Sequence, residues 1–230
     1  MKKVAISQSN YIPWRGYFIN IATVDVFVIY DDMQYTRRDW RNRNLIKTPK
    51  GLKWLTIPVE VKGKYYQKIN STKVADKTWI KNHLAQIRHN YSKAKAYKEV
   101  YPWLEDLYNS CKYEFLTDIN LHFINSICRY LEIKTEITFS SKFSLHEDRT
   151  QRLVNICKNL DSSDYYSGPS ARNYLEEHKF TQEDIRVHYF DYSNYEEYFQ
   201  LYPPFQHSVS ILDLLLNEGK NSSKLIKFNQ

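Results

Sequence analysis

The chain reads as an α/β protein built on a parallel, doubly wound sheet. Three observations predict this. Strand-like apolar runs alternate with segments of helical periodicity. The run Asp25-Val26-Phe27-Val28-Ile29-Tyr30 is nearly continuous in apolar character, as strands buried on both faces are. Two polar turns, Gln8 to Asn10 and Ser167 to Ser170, each follow a strand and precede a helix. A parallel sheet carries such turns to the carboxyl ends of its strands, where open α/β sheets take ligands.

Val4-Ala5-Ile6 is the first strand, and Pro13, Trp14 and Gly16 open a helix running to about Ala22. Asp25 to Tyr30 is the second strand, ending in Asp31-Asp32-Met33-Gln34, and a polar, strongly basic segment follows from Thr36 to Asn44. Trp54 to Val59 is a third strand, with Pro58 near its end or on an edge, after the turn residues Thr48-Pro49-Lys50-Gly51. Residues 76–131 are helical. Trp79, His83, Ile87 and Tyr91 recur at spacing four, and a second helix covers Tyr97 to Tyr108, kinked or started by Pro102. A third runs from Asp118 to Leu131 through Leu121, Ile124 and Ile127. These helices predict an insertion or lid beside the sheet. Strands then return at Thr135 to Phe139, Asp164 to Tyr166 and Ile185 to Phe190, with helices at Asp148 to Leu160, Ala171 to Glu177 and Val209 to Asn217. With no repeat and no low-complexity linker, residues 1–230 read as one α/β domain with that insertion.

A net charge of +7 and a pI of about 9.1 favour anionic partners, among them nucleotides, nucleotide sugars, nucleic acid and anionic membranes, or reflect a merely solvated basic surface. Cys111, Cys128 and Cys157 are odd in number and form no CxxC, which fits a reducing compartment. No secretory apolar region follows MKK, and no stretch nears ~20 consecutive apolar residues. A cytoplasmic protein without a transmembrane segment is expected. Neither GxxxxGKS/T nor GxGxxG occurs, and only five glycines are present, which excludes a glycine-rich phosphate loop. His83 and His89 are six apart and share no helix face, and His122, His146, His178 and His188 lie outside ligand spacing, so no tightly bound metal is expected. No GxSxG supports a nucleophilic triad, and the adjacent Asp31 and Asp32 would face opposite sides of a strand, unlike a glycosidase pair.

Four segments carry candidate chemistry. At the first strand end, Gln8, Asn10 and Tyr11 and the helix start form a ligand cradle, or else a tight turn punctuated by Pro and Gly. Arg37, Arg38, Arg41 and Arg43, with Asn42, Asn44 and Lys47 interleaved, match the fork geometry of phosphate or carboxylate, or else make a solvated loop with internal ion pairs. Asp31 and Asp32 just upstream can neutralise an arginine, bind Mg²⁺ or hold a substrate ammonium. At the second junction Ser167, Gly168, Ser170 and Arg172 can cradle a phosphate, while Ser167 or Ser170 can equally cap the helix. In the C-terminal run, Ser208 or Ser210 with Asp213 approaches a capping box. His207 or Asp32 is the candidate general base.

The motifs QSNYIPWRGYF, DVFVIYDDMQYTRRDWRNRN, YYSGPSARNYL and SVSILDLLLNEG, in that order, resemble the WbqC-like proteins of bacterial polysaccharide gene clusters. The resemblance spans essentially the whole chain. It implies an enzyme that attaches an amino-acid or other acyl group, such as glycine, to the amino group of a nucleotide-linked amino sugar for O-antigen or capsule synthesis. The strand–loop–helix start and the late SGPSARNYL turn are also similar to the Rossmann-like, HUP-type nucleotidyl-transfer fold that includes pantothenate synthetase. In that fold a late Ser-rich turn followed by Arg and Asn holds ATP phosphates. That similarity implies ATP with Mg²⁺ as cofactor, a small carboxylic or amino acid as donor and an acyl-adenylate route. The HxGH signature of that fold is absent, with Pro13-Trp14-Arg15-Gly16 in its place. The rival readings are a glycosyltransferase or nucleotidyltransferase of the same pathway, and a nucleic-acid-binding module, for which no RRM, OB or helix-turn-helix signature is present.

Overall fold

A computed structural model describes residues 1–193 and 195–226. Strand β1 (Lys3–Ser7) lies in the middle of a five-stranded sheet beside β2 (Val26–Ile29), which is buried along its whole length. The other strands are β5 (Glu136–Phe139), β6 (Asp164–Ser167) and β7 (Arg186–Tyr189), with β5 and β7 at the edges. All pairings are parallel, in the order β5-β2-β1-β6-β7. The chain therefore winds outward from β1 to β5 and then resumes on the other side of β1. That order is Rossmann-like, and its topological switch point falls between β1 and β6.

Alternation along the buried strands loads both faces of the sheet. Val26 and Val28 join Val4, Val154, Ile156 and Phe180, under α5 (Arg149–Asn159) and α6 (Glu177–Thr181). Phe27 and Ile29 join Ala5 and Phe18 on the opposite face. There the core includes α1 (Arg15–Thr23) and α7 (Ile211–Glu218). It also takes in three helices, α2 (Trp79–Tyr91), α3 (Tyr97–Asn109) and α4 (Leu116–Tyr130). Ile87, Leu104 and Ile124 share one hydrophobic cluster with Phe18 and Ile211. Pro102 sits inside α3 without ending it.

Two expectations are corrected. The strand expected at Trp54 to Val59 is β4 (Gly51–Thr56), and it lies outside the parallel sheet. It pairs antiparallel with β3 (Arg43–Thr48), inside what reads as a basic loop, through a turn closed by Gly51 at φ +102°. β3 escapes a hydropathy reading because Asn44 and Lys47 are among its buried residues. The helix expected at Ala171 to Glu177 is a 3₁₀ turn, Pro169–Asn173, separated from α6 by a non-helical break over residues 174–176.

One carboxylate ties these parts together. Asp31, just past β2, is 3% exposed and accepts from Ser9 N (2.8 Å), Ser9 Oγ (2.6 Å) and Thr117 Oγ1 (2.6 Å). Asn120 on α4 donates to Ser9 Oγ and to the Arg41 carbonyl, both at 2.9 Å. Burial pushes the Asp31 carboxyl above its ordinary value, against the pull of the Ser9 and Thr117 donors. Asp31→Ala would strand three donors in a dry site, each worth about 1–3 kcal/mol. Urea unfolding is expected to show a loss of about 3 kcal/mol or more, and a loss under about 1 kcal/mol would remove the carboxylate from this role.

At the opposite edge, Asp164 meets Ser163 Oγ (2.6 Å), His188 Nε2 (2.7 Å) and Arg186 (3.1 Å). Burial raises its pKa, but the hydrogen bonds from Ser163, His188 and Arg186 outweigh that and hold it at about 2. A carboxyl depressed in the folded state stabilises above its unfolded value of 3.8 and loses that contribution as pH falls toward about 2. Asp164→Asn should flatten the acid limb of the stability–pH curve in this window. An acid limb identical to that of the parent protein would contradict the linkage.

Candidate functional site

The carboxyl edge of the sheet gathers the polar turns. In the β1–β6 pairing Ala5 faces Tyr166, so Gln8 to Asn10 and Ser167 to Ser170 leave from one edge and flank the switch point. Gln8 is partly buried, and its carbonyl accepts from the Tyr17 hydroxyl at 3.0 Å. Ile12 adopts φ +36°, an unusual conformation for a β-branched residue, at a cost of about 1–3 kcal/mol. Asn44 Nδ2 holds that kink by donating to the carbonyls of Tyr11 (3.1 Å) and Ile12 (3.0 Å), and Ser210 Oγ donates to Ile12 O at 2.8 Å.

Tyr11, expected at the ligand, is instead fully buried. Its hydroxyl meets Tyr108 Oη (2.6 Å) and His83 Nδ1 (2.9 Å), and His83 Nε2 lies 3.1 Å from Thr56 O. A carbonyl only accepts, so Nε2 donates and Nδ1 accepts from Tyr11. Burial lowers the His83 pKa to about 4, which keeps this ring neutral. The tyrosine serves the core because ring burial is worth more than exposure at a polar turn.

The basic segment does not converge on one anion. Arg37 donates to Val61 O at 3.0 Å, and Arg38 is exposed with φ +58°. Arg43 donates to the Arg38 carbonyl and lies 3.9 Å over Trp54, which packs 5.2 Å from Trp40. Asn42 is buried, and its amide donates to Ile57 O at 2.8 Å, a β-hairpin strut. Only Arg41 turns to the first loop, where it donates to Asn10 Oδ1 and sits 3.7 Å from Asp39.

At the second turn Gly168 is the N-cap and no side chain caps it, so neither serine plays that part. Ser167 Oγ lies 3.4 Å from Tyr165 Oη, Ser170 is exposed, and the Arg172 guanidinium stands 4.7 Å over Tyr189. Gly168 has φ −67°, and a Cβ there would meet nothing nearer than Tyr192 Oη at 4.0 Å. Asp32 accepts from Ser140 Oγ (2.6 Å) and Asn70 Nδ2 (3.2 Å), with Lys68 Nζ at 3.9 Å. His207 lies elsewhere, 3.4 Å from Arg15 Nη2, and no contact joins it to Asp32. Ser210 caps α7 through Leu212 N at 3.3 Å, but Asp213 accepts from Tyr91 and Tyr198 rather than closing a capping box.

A pocket of about 250 Å³ opens at this edge, lined by Asn10, Pro13, Trp14, Trp40, Asn44 and Ser208. It joins the first loop, the basic segment and the C-terminal run. Trp14 and Trp40 are the residues that sequence reasoning missed. The signal for Trp14 is Gly16, whose Cβ, if present, would lie 2.3 Å from the indole. A larger hollow of about 810 Å³ lies around Thr23, Asp25, Glu132 and Lys134, at the amino ends of the strands. Open α/β sheets bind at the other edge, so the smaller pocket is the candidate site. Among the described residues no group of three or more His, Cys, Asp or Glu is placed to hold a metal, and no helix is long and apolar enough to cross a membrane.

Fold and site together define a Rossmann-like α/β protein with two polar turns at its switch point and an indole-walled pocket beside them. The chain belongs to the WbqC-like protein family, whose model matches residues 8–225. It is 48% identical over 228 residues, 99% of each chain, to a Mycobacterium tuberculosis (strain ATCC 25618 / H37Rv) protein described as "Uncharacterized protein Rv1507c". No solved structure matches the chain.

Gly16→Ala must push the Trp14 indole off the start of α1. The expected result is a loss of about 1–3 kcal/mol in unfolding free energy together with a shifted tryptophan emission. Unchanged stability and emission would mean that the indole is free to move and does not shape the pocket.

Proposed function

We propose that the protein N-acylates a nucleotide-linked amino sugar, with glycine or a similar small carboxylic acid as donor, for a bacterial surface polysaccharide. The observation that carries this reading is the pairing of two polar strand-end turns at the switch point with the Trp14–Trp40 pocket alongside. Family membership is consistent with it. The HUP-type likeness and the use of ATP belong to the same proposal.

The donors on the second turn fit a phosphate chain. Ser167, Ser170 and Arg172 would hold it, and the open backbone at Gly168 leaves room for close approach. Mg²⁺ would arrive with the nucleotide, since Asp31 spends its oxygens on Ser9 and Thr117. ATP, when bound, supplies the activation of the donor carboxylate. Everything else is the work of this chain's residues. Trp14 and Trp40 offer flat apolar walls to a sugar or base ring. Arg41 and Asn10 hold a charged or polar group of the acceptor. Fixing the acceptor amine against the activated carbonyl makes the attack effectively unimolecular. A C–N bond forms, the bond to the leaving group breaks, and the ammonium proton passes to a base. Asp32, an acceptor at the end of β2, takes that part. His207 accepts from Arg15 through Nδ1, so its other nitrogen carries the proton and acts as a donor.

Incubation with ATP, glycine and a panel of nucleotide-linked amino sugars should yield an amide by mass spectrometry, with ATP consumed. Arg41→Ala should raise KM about tenfold or more, as loss of a charged hydrogen bond of about 1.5–3 kcal/mol requires. Amide formation from an acyl carrier or aminoacyl-tRNA without ATP would replace the ligase by a transferase. Sugar transfer to a lipid acceptor with no amide from any donor would overturn acylation altogether.

A further inference from the structure

Arg15 opens α1 and is 3% exposed. A guanidinium cannot shed its proton in a protein, so a buried one must have its charge answered. Among the described residues no carboxylate stands within ion-pair distance of it, and Glu196 acts only from farther away. Its Nε is buried and has no hydrogen-bond partner among those residues. Among the described residues its Nη2 reaches only His207 Nδ1, at 3.4 Å. The rings of Tyr195 and Tyr198 stand 5.2 and 5.5 Å from its Cζ, and such contacts offset only part of the desolvation of a charge. The start of α1 carries no side-chain cap, so the positive end of the helix adds to the same field. A second donor nearby is equally orphaned: the Tyr195 hydroxyl is buried without a partner among the described residues.

We infer that Arg15, Tyr195 and His207 form a subsite for an oxyanion, the phosphate or carboxylate group of a ligand. The donors suit it. Among the described residues Arg15 Nε–H and the Tyr195 hydroxyl have no other acceptor, and burial raises the Tyr195 pKa, which keeps its proton in place. An arginine can only donate, so His207 accepts on Nδ1 and presents Nε2–H as a third donor. The subsite adjoins the indole-walled pocket: Trp14 and Ser208, next in sequence to Arg15 and His207, both line it. A ligand with a ring in the pocket would have a place for its anionic group beside it. Nothing in this inference depends on the acylation reading, because it names a charge class and uses no sugar.

The test is thermal unfolding and calorimetry of the full chain with pyrophosphate and, separately, with acetate, at ionic strength matched by sodium chloride. One of the two anions should raise the melting temperature by mass action. Stabilisation by pyrophosphate identifies a phosphate subsite, and stabilisation by acetate a carboxylate subsite. Arg15→Met should weaken that anion at least tenfold, while the ligand-free melting temperature stays equal or rises, because an unpaired buried charge has been removed. A merely structural arginine gives the reverse: an unstable variant whose folded fraction binds the anion as the parent does. If Arg15→Met fails to fold, Arg15→Lys keeps the charge without the planar fork, and should fold and bind about tenfold more weakly. The inference is overturned if neither anion stabilises the parent beyond matched chloride, or if the folding variants bind as tightly as the parent.

Discussion

The buried carboxylate of Asp31 is the constraint on which the carboxyl edge depends. It leaves the end of β2, crosses to the loop after β1 and reaches the first turn of α4. A hydrophobic contact could bring these elements together but could not fix their register, since apolar packing is non-directional. Three short hydrogen bonds to one carboxylate are directional, and the charge makes each stronger than a neutral bond. The order continues outward: Asn120 connects Ser9 to the Arg41 carbonyl, and Arg41 in turn holds Asn10 at the pocket. The position of a pocket residue is thus set, through the side chains of Ser9, Asn120 and Arg41, by a group just past the end of the neighbouring strand.

The helices between β4 and β5 are bound to the sheet by the same kind of bond. Tyr108 from α3 and His83 from α2 converge on the hydroxyl of Tyr11, and His83 passes the connection to Thr56 in β4. At the C-terminal end of α2, Tyr91 donates to Asp213 of α7, which also accepts from Tyr198. These phenols bring large apolar rings into the core and one polar atom each, and each of these polar atoms finds a partner. The chain's 20 tyrosines therefore include a structural network, and a high tyrosine content near a basic surface is not by itself a sign of nucleic-acid recognition.

How much of this was legible in the sequence follows from which side of each element is polar. Val26–Ile29 and the spacing-four series of α2 declare themselves because their inward residues are apolar or aromatic rings. The segment Arg43–Thr48 does not, because Asn44 and Lys47 point inward and the charge outside hides the alternation. Trp54 misleads for the converse reason: a tryptophan in a β run suggests a core strand, but here it is 39% exposed beneath Arg43. In the first loop, Asn10 lines the pocket, whereas Tyr11 is indistinguishable from such a residue until its hydroxyl is seen to be satisfied inside the protein. Hydropathy records the character of a side chain and not which of its polar atoms already has a partner.

That distinction separates scaffold from function at this edge. Asp31 and Arg15 are equally buried, each 3% exposed, and both belong to the strand ends around the first loop. The carboxylate is met by three donors from its own chain. The guanidinium is met by two aromatic faces and one long contact to an imidazole, with its Nε left over. A protein under selection for stability alone would have little reason to keep the second arrangement, since an apolar side chain of similar size would pack there without the desolvation cost. The arrangement makes sense if the missing partner comes from outside. The same alternation runs through the loop itself: Ser9 and Tyr11 are spent on the fold, while Asn10, Trp14 and Arg15 are turned to the pocket or left unanswered beside it. One short segment thus builds the wall of the core with some of its residues and the wall of the pocket with others.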